Sequence, residues 1–257
     1  MDKRSEIKKK LNRIKYRRLM RRLTLFLTVI AILFVMGYVI YTAHNSGVFS
    51  IKKVEISGNQ LVTEPEILEK SGLAMGQSIF SINVNQVRYK ISELVLSNHV
   101  QIRRILPDTI HMTVQEVPCL YVIYSDNTIH YMDKDDRLIA TSSQLRNAEV
   151  PVVSGFKEVQ FRGVGRTAEI STKGQFNKIR DLIDYFQGEK MLNHISEFAI
   201  ADQETVHIVT KNNILIQIRD LDNYKEHNDY IQHVIETKKR DLTINLTAGS
   251  NPVIKER

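Results

Sequence analysis

The chain of 257 residues is 42% hydrophobic and 25% charged, which excludes a wholly disordered protein and allows one large domain or two small ones. Its net charge of +7 hides an asymmetry. Residues 1–22 hold eleven Lys or Arg against Asp2 and Glu6, a balance of +9, so the remaining 235 residues carry −2 and the basicity belongs to this tail alone.

The tail has one aromatic residue, Tyr16, and no base-reading module around it, so no nucleic-acid partner is expected. Ile7, Leu11 and Ile14 fall at i, i+4 and i+7, the spacing of a weakly amphipathic helix. Next to a membrane, such a helix is drawn to the anionic inner leaflet by about 1 kcal/mol per charge near the surface. Lipid contact and a topology signal are the expected roles of residues 1–22.

Leu23 to Ala43 contains no charged residue. As a helix it would run about 31 Å, close to the hydrocarbon thickness of a bilayer. A cleaved secretory signal has a shorter apolar region and an A-x-A-like exit, whereas this stretch leaves through Tyr41-Thr42-Ala43-His44. The flank beyond it offers only Lys52 and Lys53 near Glu55, so the positive-inside rule places the N-terminus in the cytoplasm and residues 44–257 outside. A single-pass protein of the cytoplasmic membrane is expected.

Residues 48–118 read as a first exterior domain. "FSIKKVEISGN" is a strand ending in a Ser57-Gly58-Asn59 turn. Thr63 is a candidate N-cap with Glu66 completing a capping box, Val62 and Ile67 form a hydrophobic staple, and Gly72 supplies a stop. A second helix starts near Asn83 and lines up Val84, Val87, Ile91 and Leu94. In "VQIRRILPDTIHMTVQEVP", Val100 and Ile102 alternate before a Leu-Pro-Asp-Thr turn, and Ile110, Met112 and Val114 alternate after it, as in a hairpin with one apolar face. The order β-α-α-β-β, with two helices on a three-stranded sheet, makes a small α+β domain.

These segments resemble a POTRA (polypeptide-transport-associated) domain, specifically the one found just outside the membrane in the FtsQ/DivIB family of bacterial cell-division proteins. The Leu-Pro-Asp-Thr-Ile turn and the run into Glu116-Val117-Pro118 carry the resemblance, behind a basic tail and one span. Outer-membrane assembly factors also use POTRA repeats, but with several copies and a barrel.

Residues 119–246 form the second exterior region, which the resemblance identifies as the family's β-domain. "CLYVIYSDNTIHYMDKDDRLIATS" reads as two or three strands with a polar turn at Asp133 to Asp136. That turn fails as a calcium loop, because positions 6 and 12 counted from Asp133 hold Leu138 and Gln144 instead of Gly and Glu. Family members commonly place Gly in this turn, where Asp136 stands here. "VPVVSGF" is a short connection, "FRGVGRT" is a loop, and a helix over roughly Thr172 to Gln187 aligns Phe176, Ile179, Ile183 and Phe186. A hairpin turns at Lys211-Asn212-Asn213, between Val206/Ile208 and Ile214/Ile216/Ile218. One helix follows, burying Tyr224, Ile231 and Val234 or Ile235, and then the strand "LTINL" at 242–246. Residues 247–257 are read as a tail. The fold class expected overall is α+β: one N-terminal transmembrane helix, a POTRA-like domain and a mixed α/β β-domain.

No catalytic pattern stands out. The eight His residues form no His-x-x-x-His pair, and Gly-x-Ser-x-Gly is absent. Cys119, the lone cysteine, follows a proline at a strand start and reads as an inert thiol. No metal, cofactor or catalytic residue is assigned, and the expectation is a non-catalytic scaffold.

Such a scaffold can act through a free sheet edge by strand addition. The strand near Thr243 to Thr247 comes last, is short and is flanked by Lys238, Lys239 and Arg240, which makes it the candidate edge. A core strand covered by the preceding helix is the alternative. In the resembled family the last β-domain strand docks the exterior of FtsB (DivIC in some bacteria), which pairs with FtsL. The resemblance thus implies partner-binding residues Thr243, Ile244, Asn245, Leu246, Pro252 and Val253, and a place at the division septum. The rival readings are an anchored sensor, which would need a folded cytoplasmic module, and an anchored cell-wall enzyme.

Overall fold

A computed structural model describes residues 3–146, 149–237, 241–247 and 252–256. Its contacts divide the chain into two compact units: Met1–Val54 with Ala74–Ile82 and Arg104–Ile110, and Glu55–Leu73 with Asn83–Arg103 and His111–Arg257.

The first unit is dominated by α1 (Lys3–Asn45), one helix that carries the basic tail into the apolar span without a break. Arg18–Thr42 is long and apolar enough to cross a bilayer, starting five residues before the charge-free segment at Leu23. Thr24, Thr28 and Thr42 donate their hydroxyls to the carbonyls of Arg21, Leu25 and Val39 at 2.8–3.0 Å, so these threonine hydroxyls are satisfied within the helix. Beyond α1, Ile79 N–H donates to Phe49 O at 2.8 Å, and the Arg104 guanidinium donates to Ile79 O and Ile82 O at 2.9 and 2.7 Å. Ile51, Ile79, Ile82 and Ile110 are buried in this unit.

The expected β-α-α-β-β order is present as β1 (Lys53–Ser57), α2 (Glu64–Ser71), α3 (Val84–Leu94), β2 (Ser97–Ile105) and β3 (Thr109–Glu116), with sheet order β1-β3-β2. Local chemistry sets the helix ends. The Glu66 carboxylate accepts from the Thr63 N–H and hydroxyl, both at 2.8 Å, and Asn83 Oδ1 accepts from the N–H groups of Asn85 and Gln86 at 3.1 and 3.2 Å. Gly72 ends α2 at φ +70°, a conformation that favours glycine. Ile67, Val87 and Ile91 on the helices and Met112 and Val114 on β3 are buried, as their spacing requires.

A nine-stranded mixed sheet organises the second unit. Its strands are β4 (Tyr121–Ser125), β5 (Thr128–Met132), β6 (Leu138–Ser142), β7 (Val152–Ser154), β10 (Ile195–Ile200), β11 (Val206–Thr210), β12 (Leu215–Ile218), β13 (Leu242–Asn245) and β14 (Val253–Glu256). They lie in the order β14-β13-β12-β11-β10-β7-β4-β5-β6. A separate ribbon pairs β8 (Val159–Gln160) with β9 (Glu169–Ile170), with the Phe161–Thr167 stretch as the loop between them. Hairpins give antiparallel neighbours, while β4–β7, β7–β10 and β12–β13 are parallel and need crossovers. The crossovers supply α4 (Lys173–Gly188), α5 (Leu221–Lys225) and α6 (Asn228–Glu236). Phe176, Ile179, Leu182, Ile183 and Phe186 of α4, with Tyr224, Ile231 and Val234, form one core with Ile123, Val153, Phe198, Ile208, Ile216 and Ile244.

Three expectations need correction. The short connection expected over Val150–Phe156 contains β7, which pairs in parallel with both β4 and β10 inside the sheet. The single helix over Tyr224 to Val234 is two, because the chain leaves helical geometry at His227, with φ −118° and ψ 12°; the Ile235 side chain lies outside the described residues. Residues 247–257 are not merely a tail, because β14 joins the sheet. Two-residue turn chemistry at Asp126 and Asn127, with φ +51° and +58°, fixes the β4–β5 hairpin. Asp136 sits at φ +59°, a left-handed position where glycine is the usual choice and Asp is tolerated.

Candidate partner-binding edge

At the C-terminal end of the sheet, β13 runs parallel to β12, with Leu215, Ile216 and Gln217 opposite Thr243, Ile244 and Asn245. Leu242, Ile244 and Leu246 point into the helix-covered core and are at most 8% exposed. Thr243 and Asn245 alternate onto the helix-free face, half-buried. Asn245 Oδ1 accepts from the Thr247 N–H and hydroxyl, both at 2.8 Å, and Leu246 N–H donates to Gln217 O at 2.9 Å.

The edge lies one strand further out than the sequence suggests. β14 pairs antiparallel with β13, placing Leu242, Thr243, Ile244 and Asn245 opposite Glu256, Lys255, Ile254 and Val253. Thr243–Asn245 therefore belong to an interior strand, which Leu246 immediately follows; Val253 lies on the edge strand and Pro252 immediately precedes it. The flanking Lys238, Lys239 and Arg240 lie outside the described residues. A readable signal for β14 existed: the turn-rich Gly249-Ser250-Asn251 separates two β-branched runs, as in a hairpin.

β14 covers little. Val253 and Ile254 are 55% and 47% exposed, although Ile254 sits opposite the fully buried Ile244. Alongside it, a groove of about 550 Å³ runs between the α5–α6 corner, from Lys225 to Tyr230, and Pro252 and Ile254.

The other sequence candidates have structural explanations. Asp133, fully buried, accepts from the N–H groups of Asp135 and Arg137 at 2.9 and 2.8 Å and pairs with the Arg137 guanidinium at 2.7 Å, so it holds the β5–β6 turn. Asp136 accepts from the Tyr121 hydroxyl at 2.8 Å and lies 3.1 Å from Arg180; burial raises its pKa. The Cys119 thiol donates to Tyr121 O, and burial pushes its pKa up to about 12, away from nucleophilic reactivity. Among the described residues, no three His, Cys, Asp or Glu side chains gather as a metal site.

Arg146 was not singled out from the sequence. Its guanidinium forks onto Glu66 at 2.7 and 2.9 Å and donates to Leu61 O at 2.7 Å, while its N–H donates to the Tyr131 hydroxyl. The Arg146 hydrogen bonds hold the Glu66 carboxyl down at about 2. The pair joins residues 80 apart, a distance over which no sequence pattern operates.

The model of the FtsQ-type POTRA domain matches residues 49–116. Cell division protein DivIB of Clostridium acetobutylicum is 25% identical over 214 residues, covering 80% of this chain and 82% of its own length. DivIB of Clostridium tetani is 22% identical over 210 residues, with 80% and 79% covered. Cell division protein FtsQ of Caulobacter vibrioides is 27% identical over 107 residues, with 42% and 35% covered. The solved major extracytoplasmic domain of DivIB from Geobacillus stearothermophilus aligns with 48% of this chain and 93% of its own at 14% identity, with a TM-score of 0.28, too loose a superposition to bear on the fold.

Proposed function

We propose that this chain, which belongs to the FtsQ/DivIB family of bacterial cell-division proteins, serves division as a non-catalytic scaffold on the outer side of the cytoplasmic membrane. The similarity to division proteins over four-fifths of both chains carries the reading. The one apolar helix near the N-terminus fits a single-pass protein, and the basic tail before it would contact anionic inner-leaflet lipid. In this reading residues 48–118 act as the POTRA-like domain, residues 119–246 with β14 as the β-domain, and the protein concentrates at the septum.

The partners are the exterior segments of FtsB- or DivIC-like and FtsL-like division proteins. They engage the C-terminal end of the sheet, at Thr243, Ile244, Asn245 and Leu246 with Pro252 and Val253. Strand addition suits this place because backbone pairing supplies affinity and alternate side chains supply register.

Calorimetric titration of the full chain in detergent with those exterior segments tests the reading. Binding is expected, and Asn245→Asp should weaken it: an aspartate can still accept from Thr247, so the turn survives while a charge enters the helix-free face. Absence of binding at high micromolar concentration refutes the docking site, and turnover of cell-wall material by the purified chain refutes the scaffold. A deletion must begin after Thr247, because removing Ile244 and Leu246 would open the core.

A further inference from the structure

We infer that β14 is a displaceable cap: the partner's strand takes its place on β13 instead of adding outside it. The inference rests on the C-terminal edge being the docking site, and it names how access to that edge is controlled.

Three observations carry it. First, β14 pairs with every residue of β13 from Leu242 to Asn245, the positions an incoming strand would use. Second, it holds them with almost no burial. Leu242 and Ile244 are 8% and 0% exposed, whereas Val253 and Ile254 are 55% and 47% exposed and Lys255 is open to solvent. A ladder whose Val253, Ile254 and Lys255 side chains are exposed sits at the low end of local stability, so its opening costs far less than global unfolding. Third, the core stops at β13. Tyr224, Ile231 and Ile244 belong to it, whereas Val253, Ile254 and Lys255 of β14 do not. A strand added outside β14 would lie over nothing apolar, whereas one replacing β14 lies beside the core margin and the groove between the α5–α6 corner and Ile254.

The kind of partner follows. It presents an extended segment with a large apolar or aromatic residue in register with Ile244, where this chain offers only the half-exposed Ile254. Such a residue fills the groove more fully and adds burial that β14 lacks, so the exchange favours the partner. Until then β14 shields an edge that would otherwise pair indiscriminately.

The test uses a fluorescein-labelled peptide with the sequence of residues 251–257 and the full chain in detergent micelles. Two variants accompany it: a chain ending at Asn251, and Asn245→Cys with Val253→Cys in a Cys119→Ser background, oxidised to tie the register pair. The shortened chain should bind the peptide. The full chain should bind at least about tenfold more weakly, because apparent affinity falls with the fraction of open edge. The oxidised pair should abolish binding, and reduction should restore it. Equal affinity for full and shortened chains, undiminished binding to the oxidised pair, or no binding to a shortened chain whose circular dichroism is native would each overturn the cap. The peptide is the chain's own sequence, so this result is independent of any division partner. A locked chain that still docks FtsB- or DivIC-like segments at full affinity would sink the cap and leave the docking reading standing.

Discussion

The two ends of the nine-stranded sheet are finished in opposite ways. At β6 the outer backbone groups are engaged by the protein's own chain: Leu138 N–H donates to Arg166 O at 2.9 Å, Gly165 N–H to Leu138 O at 2.8 Å and Leu96 N–H to Ile139 O at 2.7 Å. Leu138, Ile139 and Ala140 are at most 3% exposed. Asp133 and Arg137 lock the adjoining turn, and Arg146 ties the segment after β6 to Glu66. At β14 the finish is four residues of ladder in which Val253, Ile254 and Lys255 are exposed. Sheet edges are pairing hazards unless blunted, so one edge closed thoroughly and the other lightly marks the light one as the place for exchange.

Matched substitutions sharpen this contrast. Ile244→Ala should be the most damaging, at about 2–5 kcal/mol of stability, because it empties a fully buried site; chemical denaturation of the full chain measures it. Asp133→Ala should cost about 2 kcal/mol by stranding the N–H groups of Asp135 and Arg137, with Asp133→Asn recovering part of the loss in the same assay.

Arg146→Met should cost about 1 kcal/mol at neutral pH, a modest figure because water screens this partly exposed pair. Its pH dependence has a definite sign. Arg146, helped by the Thr63 N–H and hydroxyl, depresses the Glu66 pKa from 4.5 to about 2, so the pair's contribution is complete above about pH 4.5 and is lost as pH falls through about 2. The denaturation midpoints of wild type and Arg146→Met should therefore converge on acidification, and a gap independent of pH would show that the pair does not act through the carboxylate. Smallest of all, Ile254→Ala should change stability by less than about 0.5 kcal/mol, although it lies opposite Ile244 in register. A loss comparable to that of Ile244→Ala would erase the difference between the two strands.

Much of the chain was legible because its determinants are local. The capping box at Thr63 and Glu66 and the cap at Asn83 operate within three residues. The hairpin around residues 106–108 and the one at Lys211–Asn213 follow from period-2 alternation on either side of a turn. The span from Arg18 to Thr42 is a matter of length and the absence of charge. The candidate edge was legible only in part. Ile244 and Leu246 share the buried face as period-2 alternation in "LTINL" requires, yet the same pattern serves an interior strand and an edge strand equally well.

What the sequence determined by itself was most of the element types, their caps and turns, the membrane-crossing length and the POTRA-like order, all set by neighbours a few residues apart. Only the tertiary structure decided which strands lie side by side, that β14 covers β13, and that Arg146 reaches Glu66. Those outcomes depend on which distant segments compete for the same backbone groups and apolar surface, and that competition is settled only when the sheet assembles.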